Sequence, residues 1–346
     1  MKKPRAIWLF AGGPLQKEAS IKIKNQNFQL ILTDKNSKCF CANDADIFIE
    51  LDTFDIQGNL EMASLIKEKY NVKGVLTVAS DCHETVSCVA QFFELNGVSQ
   101  EISRMCRQKA LTRKVLTENG LIQPRFRLVN DVDEAQSFKN KCNSSMVLKS
   151  TDNSGSRGFS YVKYNQNITN ENFELALRSG STGQVLIEEA LAPIDYGLSE
   201  LSVETLWVNG QMFWLNWVDR IFRSEFDSIY GKDHIYNKIN WGVEIGHINP
   251  SYHDEKIRDE IQKVIHEAGC AINFHHQKGS HILKADIMLT KSGPAIIELT
   301  PRLSGGWDSS KSTPTRGADF VGGAIHVSQG LPLDIFSWNQ FFNFNY

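Results

Sequence analysis

Two carboxylates that are predicted to face each other across a β-hairpin are the residues best placed to do chemistry. Apolar, β-rich runs flank the turn signal Lys291-Ser292-Gly293-Pro294, so residues 284–302 are predicted to form a hairpin. If the hairpin folds about Ser292, Asp286 lies directly opposite Glu298. Carboxylates in such a pair have Cβ atoms roughly 5 Å apart and repel each other. A fold that keeps them together needs a positive charge close by.

Two sources of that charge are compatible with the hairpin sequence. Lys284, opposite Thr300, and Arg302, just beyond the hairpin, could neutralise the acids on a solvated face, since structural ion pairs are common. Alternatively, a hard divalent ion such as Mg²⁺ could bind their oxygens. The other face of the predicted hairpin is wholly apolar, with Ala285, Ile287, Leu289, Ala295, Ile297 and Leu299.

The composition is that of a soluble globular protein of two or three domains. The chain has 346 residues, with 41% hydrophobic and 22% charged residues. Its net charge of −3 gives no basic footprint for nucleic acid, and no apolar segment reaches membrane-spanning length. The apolar run 6–11 is too short for a signal peptide. Seven cysteines without a regular framework favour free thiols, so we expect a cytoplasmic protein. From the charge and the lack of a spanning segment, we expect no nucleic-acid or membrane partner.

The first hundred residues alternate between strand and helix patterns, which predicts a parallel sheet with helical crossovers. Ligands of such sheets gather at the carboxyl ends of the strands. The polar and small residues predicted at these ends are Gly12, Gly13, Asp34, Ser80 and Asp81. No G-x-G-x-x-G follows the first strand, so a dinucleotide fingerprint is not supported.

The middle of the chain offers two candidate phosphate-binding features. Glu101–Asn119 is predicted to be one helix with a basic side that includes Lys109. Lys149 ends a strand, and the small-residue loop Ser154–Gly158 follows it. Glycines let backbone N–H groups approach phosphate oxygens, and lysine supplies a point charge. A plain hairpin turn is the alternative interpretation of this loop.

Two further strands end or begin in acids. Val185–Leu191 runs from apolar residues into Glu188 and Glu189, which suits either an exposed strand end or contacts to a purine amino group. Glu200 and Glu204 share one face of the next strand, where they could accept ribose hydroxyls or simply face solvent.

Taken in order, these segments resemble an ATP-grasp enzyme over nearly the whole chain. Leu9–Gln16 and Val78–Ala90 resemble the α/β domain that precedes the ATP-grasp domain. Gln108–Arg113 resembles the helix that supplies an ATP-phosphate lysine, and Val147–Lys149 resembles the strand of a second such lysine. The hairpin resembles the metal-binding strands.

The resemblance implies a fold of the α/β and α+β classes, with a parallel α/β preATP-grasp domain before a two-lobed ATP-grasp domain. The implied domains are residues 1–105 and 106–330, with a lid at about 124–190 and a tail at 331–346.

The resemblance also implies the ligands and the site residues. ATP contacts are implied for Lys109, Lys149, Ser154, Gly155, Ser156, Glu188, Glu189, Leu191 and Glu200. Asp286 and Glu298 are the implied ligands of Mg²⁺, or of Mn²⁺, and Arg302 is the implied catalytic residue at the phosphate and acyl phosphate. Two positions depart from the usual pattern, with Ser150 in place of a proline and Thr300 in place of a metal-binding asparagine.

The implied activity is that of a carboxylate–amine ligase. The segments Glu244–Ser251 and Pro301–Gly306 resemble the branch that joins amino acids or similar carboxylates to amines. A carboxylate attacks the γ-phosphate of ATP, giving an acyl phosphate and ADP, and an amine then displaces phosphate. Small-molecule substrates are expected, and homodimers are common in the family.

Two other function classes stay open, an ATP-binding module without turnover, which Thr300 favours, and a two-domain oxidoreductase. Pocket candidates are Phe213, Trp214, Trp217, Asp219, Arg220, Arg223 and His247, with Arg316 a weaker candidate for a substrate carboxylate.

Overall fold

The computed structural model describes residues 2–153, 157–195, 197–222 and 244–331. The predicted phosphate contacts Ser154, Gly155 and Ser156 lie outside these ranges. So do Arg223 and all of the predicted tail except Leu331. Within the described ranges, no helix combines the length and the apolar character needed to cross a lipid bilayer. All seven cysteines are free thiols, as the sequence predicted.

The first sheet is parallel, as predicted, with the strand order β3-β2-β1-β4. Its strands are β1 (Arg5–Phe10), β2 (Gln29–Asp34), β3 (Ile47–Glu50) and β4 (Asn71–Leu76). The helices of this region are α1 (Lys17–Asn25), α2 (Ile56–Lys69) and α3 (His83–Phe92). Residues 6–10 of β1 are all buried, because helices cover both faces of the sheet. At its carboxyl edge the Gly12 N–H donates to Asp34 Oδ2 at 2.7 Å.

The basic helix predicted at Glu101–Asn119 is two helices, so that prediction was wrong in this respect. α4 (Gln100–Arg107) ends at Gln108, whose extended backbone (φ −88°, ψ 92°) interrupts the helix, and α5 (Lys109–Glu118) begins at the next residue. The break makes Lys109 the first residue of a helix. Its backbone N–H is therefore free to donate to Thr151 O at 3.0 Å.

The second sheet is antiparallel, with the order β5-β8-β6-β7. Its strands are β5 (Phe126–Val129), β6 (Met146–Ser150), β7 (Ser160–Val162) and β8 (Val185–Glu189). Two helices, α6 (Val132–Cys142) and α7 (Asn170–Ser179), pack against one face. Strand alternation then places Lys149 and Glu188 together on the other face, which is free of these helices.

The third sheet is antiparallel and has five strands, in the order β11-β10-β9-β12-β13. Its strands are β9 (Glu200–Val208), β10 (Gln211–Phe222), β11 (Glu244–Ile248), β12 (Ser280–Thr290) and β13 (Gly293–Thr300). The amphipathic helix α8 (Glu255–Ala271) buries Ile261, Ile265 and Ala268 against one face. Polar residues of β9, β12 and β13 occupy the opposite face.

The hairpin formed by β12 and β13 has the predicted pairing of Asp286 with Glu298, but a different turn. Thr290 pairs with Gly293, so the turn contains two residues, and a bulge near Ile297 restores the predicted register. The bulge changes which residue enters the core. Ile296 is fully buried and Ile297 is only half-buried, so the predicted apolar face was wrong at this position.

The helix α9 (Phe320–Ser328) returns to the first sheet and packs on α1 and β4. Its Phe320 and Ile325 share a core with strands of the first sheet and with Leu206 and Ile282 of the third. The first and third sheets are therefore joined by a continuous apolar core. The domain boundaries at residues 105/106 and 330/331 stay predictions.

Candidate functional site

Each of the two facing hairpin acids is contacted by a lysine. Lys284 Nζ contacts Asp286 Oδ2, and Lys109 Nζ lies 3.0 Å from Glu298 Oε1. The sequence offered Lys284 and Arg302 as the neutralising residues, with a divalent ion as the alternative. In the structure, the residue that reaches Glu298 is Lys109, which comes from α5. Asp286 keeps one oxygen, Oδ1, buried and without a hydrogen-bond partner. An unmade hydrogen bond of this kind is costly, so the atom is available to a ligand.

The donor set of the hairpin fits a divalent ion that prefers oxygen. The Thr300 hydroxyl is also buried without a partner, on the same strand as Glu298. Among the described residues, no group of three or more His, Cys, Asp or Glu side chains could hold a metal ion. Two carboxylates are nevertheless sufficient for Mg²⁺, which is often bound by one or two carboxylates together with water and substrate phosphates. The residues present therefore fit the predicted ion.

Arg302 is held beside the hairpin by the carboxyl edge of the first sheet. Its Nη2 donates to Asp81 Oδ1 at 2.7 Å, and its Nη1 donates to Leu303 O at 2.7 Å. Burial disfavours the charged guanidinium, but the carboxylates of Asp81, Glu298 and Asp286 together outweigh burial and raise the pKa of Arg302. The buried Nε of Arg302 has no partner, so this side chain keeps one N–H donor in reserve.

His83, next to this arginine, is a buried neutral imidazole. Burial lowers its pKa to about 4, and Nε2 donates to Ser103 O at 3.1 Å. Since Nε2 carries the proton, Nδ1 is a bare acceptor, and it has no partner. The sequence did not single out His83 as a site residue; its position directly after the loop at the end of β4 was the available signal.

Lys149, Glu188 and Arg113 form a buried ionic group on the second sheet. Lys149 Nζ lies 2.6 Å from Glu188 Oε2, and Arg113 Nε lies 2.7 Å from Glu188 Oε1. Burial raises the pKa of Glu188, but the two cations outweigh it and lower that pKa to about 2. Burial also lowers the pKa of Lys149. This group lies where the second and third sheets meet, because Arg113 also donates to Ile296 O of β13.

The sequence of this region matches a known family. Residues 107–305 match the family described as phosphoribosylglycinamide synthetase, ATP-grasp (A) domain. This match covers more than half of the chain. The chain belongs to the ATP-grasp superfamily. The resemblance stated from the motifs is therefore confirmed.

Solved structures share the ATP-grasp fold of this chain. An L-amino acid ligase from Bacillus licheniformis has a TM-score of 0.72 at 17% identity, covering 98% of this chain and 77% of that one. The N5-carboxyaminoimidazole synthetase from Staphylococcus aureus, complexed with ADP, has a TM-score of 0.70 at 13% identity, covering 96% and 79%. At these identities the likeness shows the fold alone.

A curated relative of this ATP-grasp protein is "Uncharacterized protein y4rH" from Sinorhizobium fredii (strain NBRC 101917 / NGR234). It is 22% identical over 286 residues, which cover 81% of this chain. The chain spans only about half of that relative, 54% of its length.

Three predicted nucleotide contacts lie apart from the Lys149–Glu188 group of the ATP-grasp domain. Glu189 follows Glu188 and points to the other side of β8, where Arg125 donates to both of its oxygens at 2.8 Å. Leu191 lies half-buried beyond the end of β8. Glu200 is the first residue of β9, half-buried, and pairs with Met288. The strand alternation at Glu188 and Glu189 was readable from the sequence.

The chain on both sides of the undescribed Ser154–Ser156 segment is attached to this site. Lys109 Nζ donates to Asn153 O at 2.5 Å, and Arg107 Nη2 lies 3.5 Å from Asp152 Oδ2. After the segment, Arg157 Nη2 lies 3.9 Å from Asp81 Oδ2. The helix break at Gln108 therefore positions two basic residues against the loop that carries the predicted phosphate contacts.

A second polar group, which sequence reasoning missed, surrounds Glu204 beside the hairpin. Glu204 Oε1 accepts from the Ser304 N–H at 2.8 Å and from Ser309 Oγ at 2.5 Å. Burial and the nearby Asp308 raise the pKa of Glu204 to about 7. Glu204 Oε2 and Asp308 Oδ1 are buried without partners. Glu204 was seen as an acid on the strand, but only the fold shows the loop that buries it.

The pocket candidates named from the sequence divide into two sets. Arg220 contacts Glu244 and donates to Ser304 Oγ at 2.6 Å, while His247 lies 2.9 Å from Ser312 Oγ. Arg316 Nη1 donates to Asn249 Oδ1 at 2.8 Å on the same face. The others are structural. Trp214 and Trp217 pack in or against the core under α8, Phe213 packs against the first core, and Asp219 accepts from Ser251 Oγ.

Proposed function

We propose that this chain is an ATP-dependent ligase that activates a carboxylate as an acyl phosphate and joins it to an amine. One observation carries the proposal: Asp286 faces Glu298 on a hairpin, Lys109 Nζ lies 3.0 Å from Glu298, and Arg302 follows the hairpin by two residues. The names of two proteins with the same fold, an L-amino acid ligase and an N5-carboxyaminoimidazole synthetase complexed with ADP, support it.

Lys109 and Lys149 are the residues that would hold the phosphates of ATP. Phosphoryl transfer asks the protein mainly for alignment and charge stabilisation, so two neighbouring lysines are appropriate. Both ammonium groups lie against carboxylates, at 3.0 Å from Glu298 and 2.6 Å from Glu188, which fixes their positions before nucleotide binds. The end of β8, with Glu188 and Glu189, and Leu191 just beyond it would receive the adenine, and Glu200 would receive the ribose.

Asp286 and Glu298 would hold Mg²⁺, or Mn²⁺, which when bound neutralises phosphate charge. The unpartnered Oδ1 of Asp286 supports this assignment. The Ser154–Ser156 segment, which lies between Asn153, a contact of Lys109, and Arg157, a contact of Asp81, would cover the phosphates and exclude water.

Arg302 would stabilise the charge that develops on the transferred phosphoryl group. In the first step a carboxylate oxygen of the substrate attacks the γ-phosphorus, the bond to the β-phosphate oxygen breaks, and ADP leaves. In the second step the amine attacks the acyl carbon, phosphate leaves, and the amine loses a proton. The donor that Arg302 holds in reserve, Nε, suits both steps, since phosphate carries the charge in each.

The substrates would bind on the face of the third sheet that carries Arg220, His247 and Arg316, beside the hairpin. These substrates would be a small carboxylate and a small amine. A cytoplasmic location and a homodimer belong to the same proposal.

A nucleotide-binding module without ligase turnover is the second candidate. It is favoured by the contact of Lys284 with Asp286 and of Lys109 with Glu298, since both metal-binding acids are then already neutralised. Thr300 also offers a poorer ligand than an amide.

The test is release of ADP from ATP and Mg²⁺ across a matrix of carboxylates and amines, with hydroxylamine as a general nucleophile that traps acyl phosphates as hydroxamates. The ligase predicts ADP, phosphate and one product per turnover. AMP with pyrophosphate would contradict the proposal. Tight binding of Mg·ATP with no ADP from any mixture would favour the module.

A further inference from the structure

Arg113 uses all of its N–H donors inside the protein, although the sequence places it on a basic helix side. Its Nε donates to Glu188 Oε1 at 2.7 Å, and Nη2 lies 3.4 Å from Glu188 Oε2. Nη1 donates to Gln123 Oε1 at 2.6 Å and to Ile296 O at 2.6 Å, and Nη2 also donates to Ile297 O at 2.9 Å. The side chain is 3% exposed. It therefore connects β8 to the edge strand β13.

The two carbonyls that Arg113 contacts belong to the bulge of β13. In a regular strand successive carbonyls point to opposite sides, so a single guanidinium does not meet two neighbouring ones. At a bulge the extra residue breaks this alternation. The hydrogen bonds to Ile296 O and Ile297 O therefore hold the backbone in its bulged form.

The bulge decides which residue faces Asp286. From the turn, the pairing runs from Thr290 with Gly293 to Ile287 with Ile296. Without the extra residue this register would continue and would place Ile297 opposite Asp286. Glu298 would then pair with Ala285, and its side chain would point to the apolar face. The facing carboxylates exist because one residue is looped out.

We propose that Arg113 is a positioning residue, which locks the bulge and thereby holds Glu298 opposite Asp286. Since its Nε also holds Glu188, the same side chain links the nucleotide strand to the metal hairpin. The inference rests on the proposed function in one respect, that the hairpin acids bind a divalent ion. Residues that orient metal ligands typically change metal affinity by about 10- to 100-fold when they are replaced.

A positioning role and a general structural role of Arg113 predict different losses of ADP affinity when the residue is replaced. If Arg113 only supported the fold, its replacement would weaken ADP binding equally with and without metal. If it positions Glu298, the affinity for ADP in EDTA changes little and the gain in affinity on adding Mn²⁺ falls. The measured quantity is therefore the ratio of ADP affinities with Mn²⁺ and with EDTA, determined by calorimetry on the full chain.

Arg113→Lys keeps the charge beside Glu188 but removes the fork that reaches two carbonyls. We expect the Mn²⁺ ratio to fall about 10-fold or more. Arg125→Lys is the matched control, because Arg125 forms the same kind of fork with the next glutamate, Glu189, and with Cys142 O, away from the hairpin. The control should keep the wild-type ratio.

A double-mutant comparison with Glu298→Gln shows whether Arg113 acts through that residue. In the Glu298→Gln background, Arg113→Lys should cause little further loss of the Mn²⁺ ratio. Full additivity of the two losses would overturn the proposal. A folded Arg113→Lys variant with the wild-type ratio would also overturn the proposal. The same holds for a variant that loses as much ADP affinity in EDTA as it loses with Mn²⁺.

If Arg113→Lys does not fold, Arg113→Gln leaves Glu188 paired with Lys149 and carries the same expectation for the ratio. A wild-type protein that shows no gain with Mn²⁺ would contradict the metal assignment of the proposed function. A wild-type gain that survives in both Arg113 variants contradicts this inference alone.

Discussion

Lys109 brings its ammonium group to 3.0 Å from Oε1 of Glu298, which joins the first residue of α5 to the edge strand β13. The same lysine donates to Asn153 O, at the start of the segment that carries the predicted phosphate contacts. One side chain therefore connects the helix, the hairpin and the loop. This arrangement depends on the break at Gln108, which makes Lys109 a helix start.

Glu298→Ala should abolish nucleotide-dependent turnover while leaving the protein folded. The change removes one of two facing carboxylates, and the remaining Asp286 is already contacted by Lys284. The change also leaves the mostly buried Lys109 ammonium without its carboxylate, although this group still donates to Asn153 O, so we expect a destabilisation of about 1–3 kcal/mol. ADP release and thermal unfolding measure the two effects.

The control for this change is Glu118→Ala, which removes an exposed acid in an i,i+4 pair on α5. It should leave ADP release and the melting temperature near the wild-type values. Normal ADP release by Glu298→Ala would show that the metal assignment is wrong.

Glu204→Gln should raise the free energy of unfolding at pH 8 and change it little at pH 5. The pKa of Glu204 is raised to about 7 by burial first and by Asp308 second. A carboxyl group with a raised folded pKa contributes stability below its unfolded pKa of about 4.5, and this stability is lost as pH rises through about 7. A shift of this size corresponds to roughly 3 kcal/mol at most.

The glutamine keeps an oxygen that can accept from Ser304 N and Ser309 Oγ, so the loop contacts remain possible. Urea unfolding between pH 5 and 8 is the measurement, with the exposed Glu118→Gln as control. An identical pH slope in Glu204→Gln and the wild type would mean that Glu204 is ionised throughout this range.

Gly269→Ala should destabilise the protein by about 1–3 kcal/mol, although alanine is the better helix former. A Cβ atom at this position of α8 would collide with the Trp207 ring. That ring is packed against His266 and Phe274, so it has little room to move. Chemical denaturation gives the change in the free energy of unfolding.

Gly13→Ala is the comparison, since nothing lies within 4 Å of a Cβ built there. Its free energy of unfolding should be near that of the wild type. A neutral or stabilising Gly269→Ala would show that the packing between α8 and Trp207 is looser than described.

The pairing of Asp286 with Glu298 was predicted correctly from the sequence, although the actual hairpin differs from the predicted one in two features. Each feature shifts the strand register by one residue, and the two shifts cancel. The turn was expected to be centred on Ser292, but it contains Lys291 and Ser292, which shifts the register by one residue. The bulge at Ile297 shifts it back. Apolar alternation cannot show a bulge when Ile296 and Ile297 are the same residue type. The partner that holds the bulge, Arg113, is far away in the sequence.

The ATP-grasp motifs and the parallel first sheet were readable because each depends on local residue order. The break at Gln108 could not be read from the sequence, because the residues on both sides of it keep a helical pattern. The loop that accepts the Lys109 N–H, at Thr151, is also distant in the sequence. In the sequence, Glu204 and Arg113 likewise resemble charged residues on a solvated surface. Their burial follows from neighbours that only the folded chain supplies.

The packing of α9 on the first sheet has a consequence for synthesis of the chain on the ribosome. Residues 5–92 emerge early, but Phe320, Val321 and Ile325 complete their apolar core. The apolar surface of the nascent amino-terminal sheet would therefore stay exposed until α9 has been synthesised and has packed against it. Late completion of this core, after most of the chain has been synthesised, is the order of events that this topology imposes.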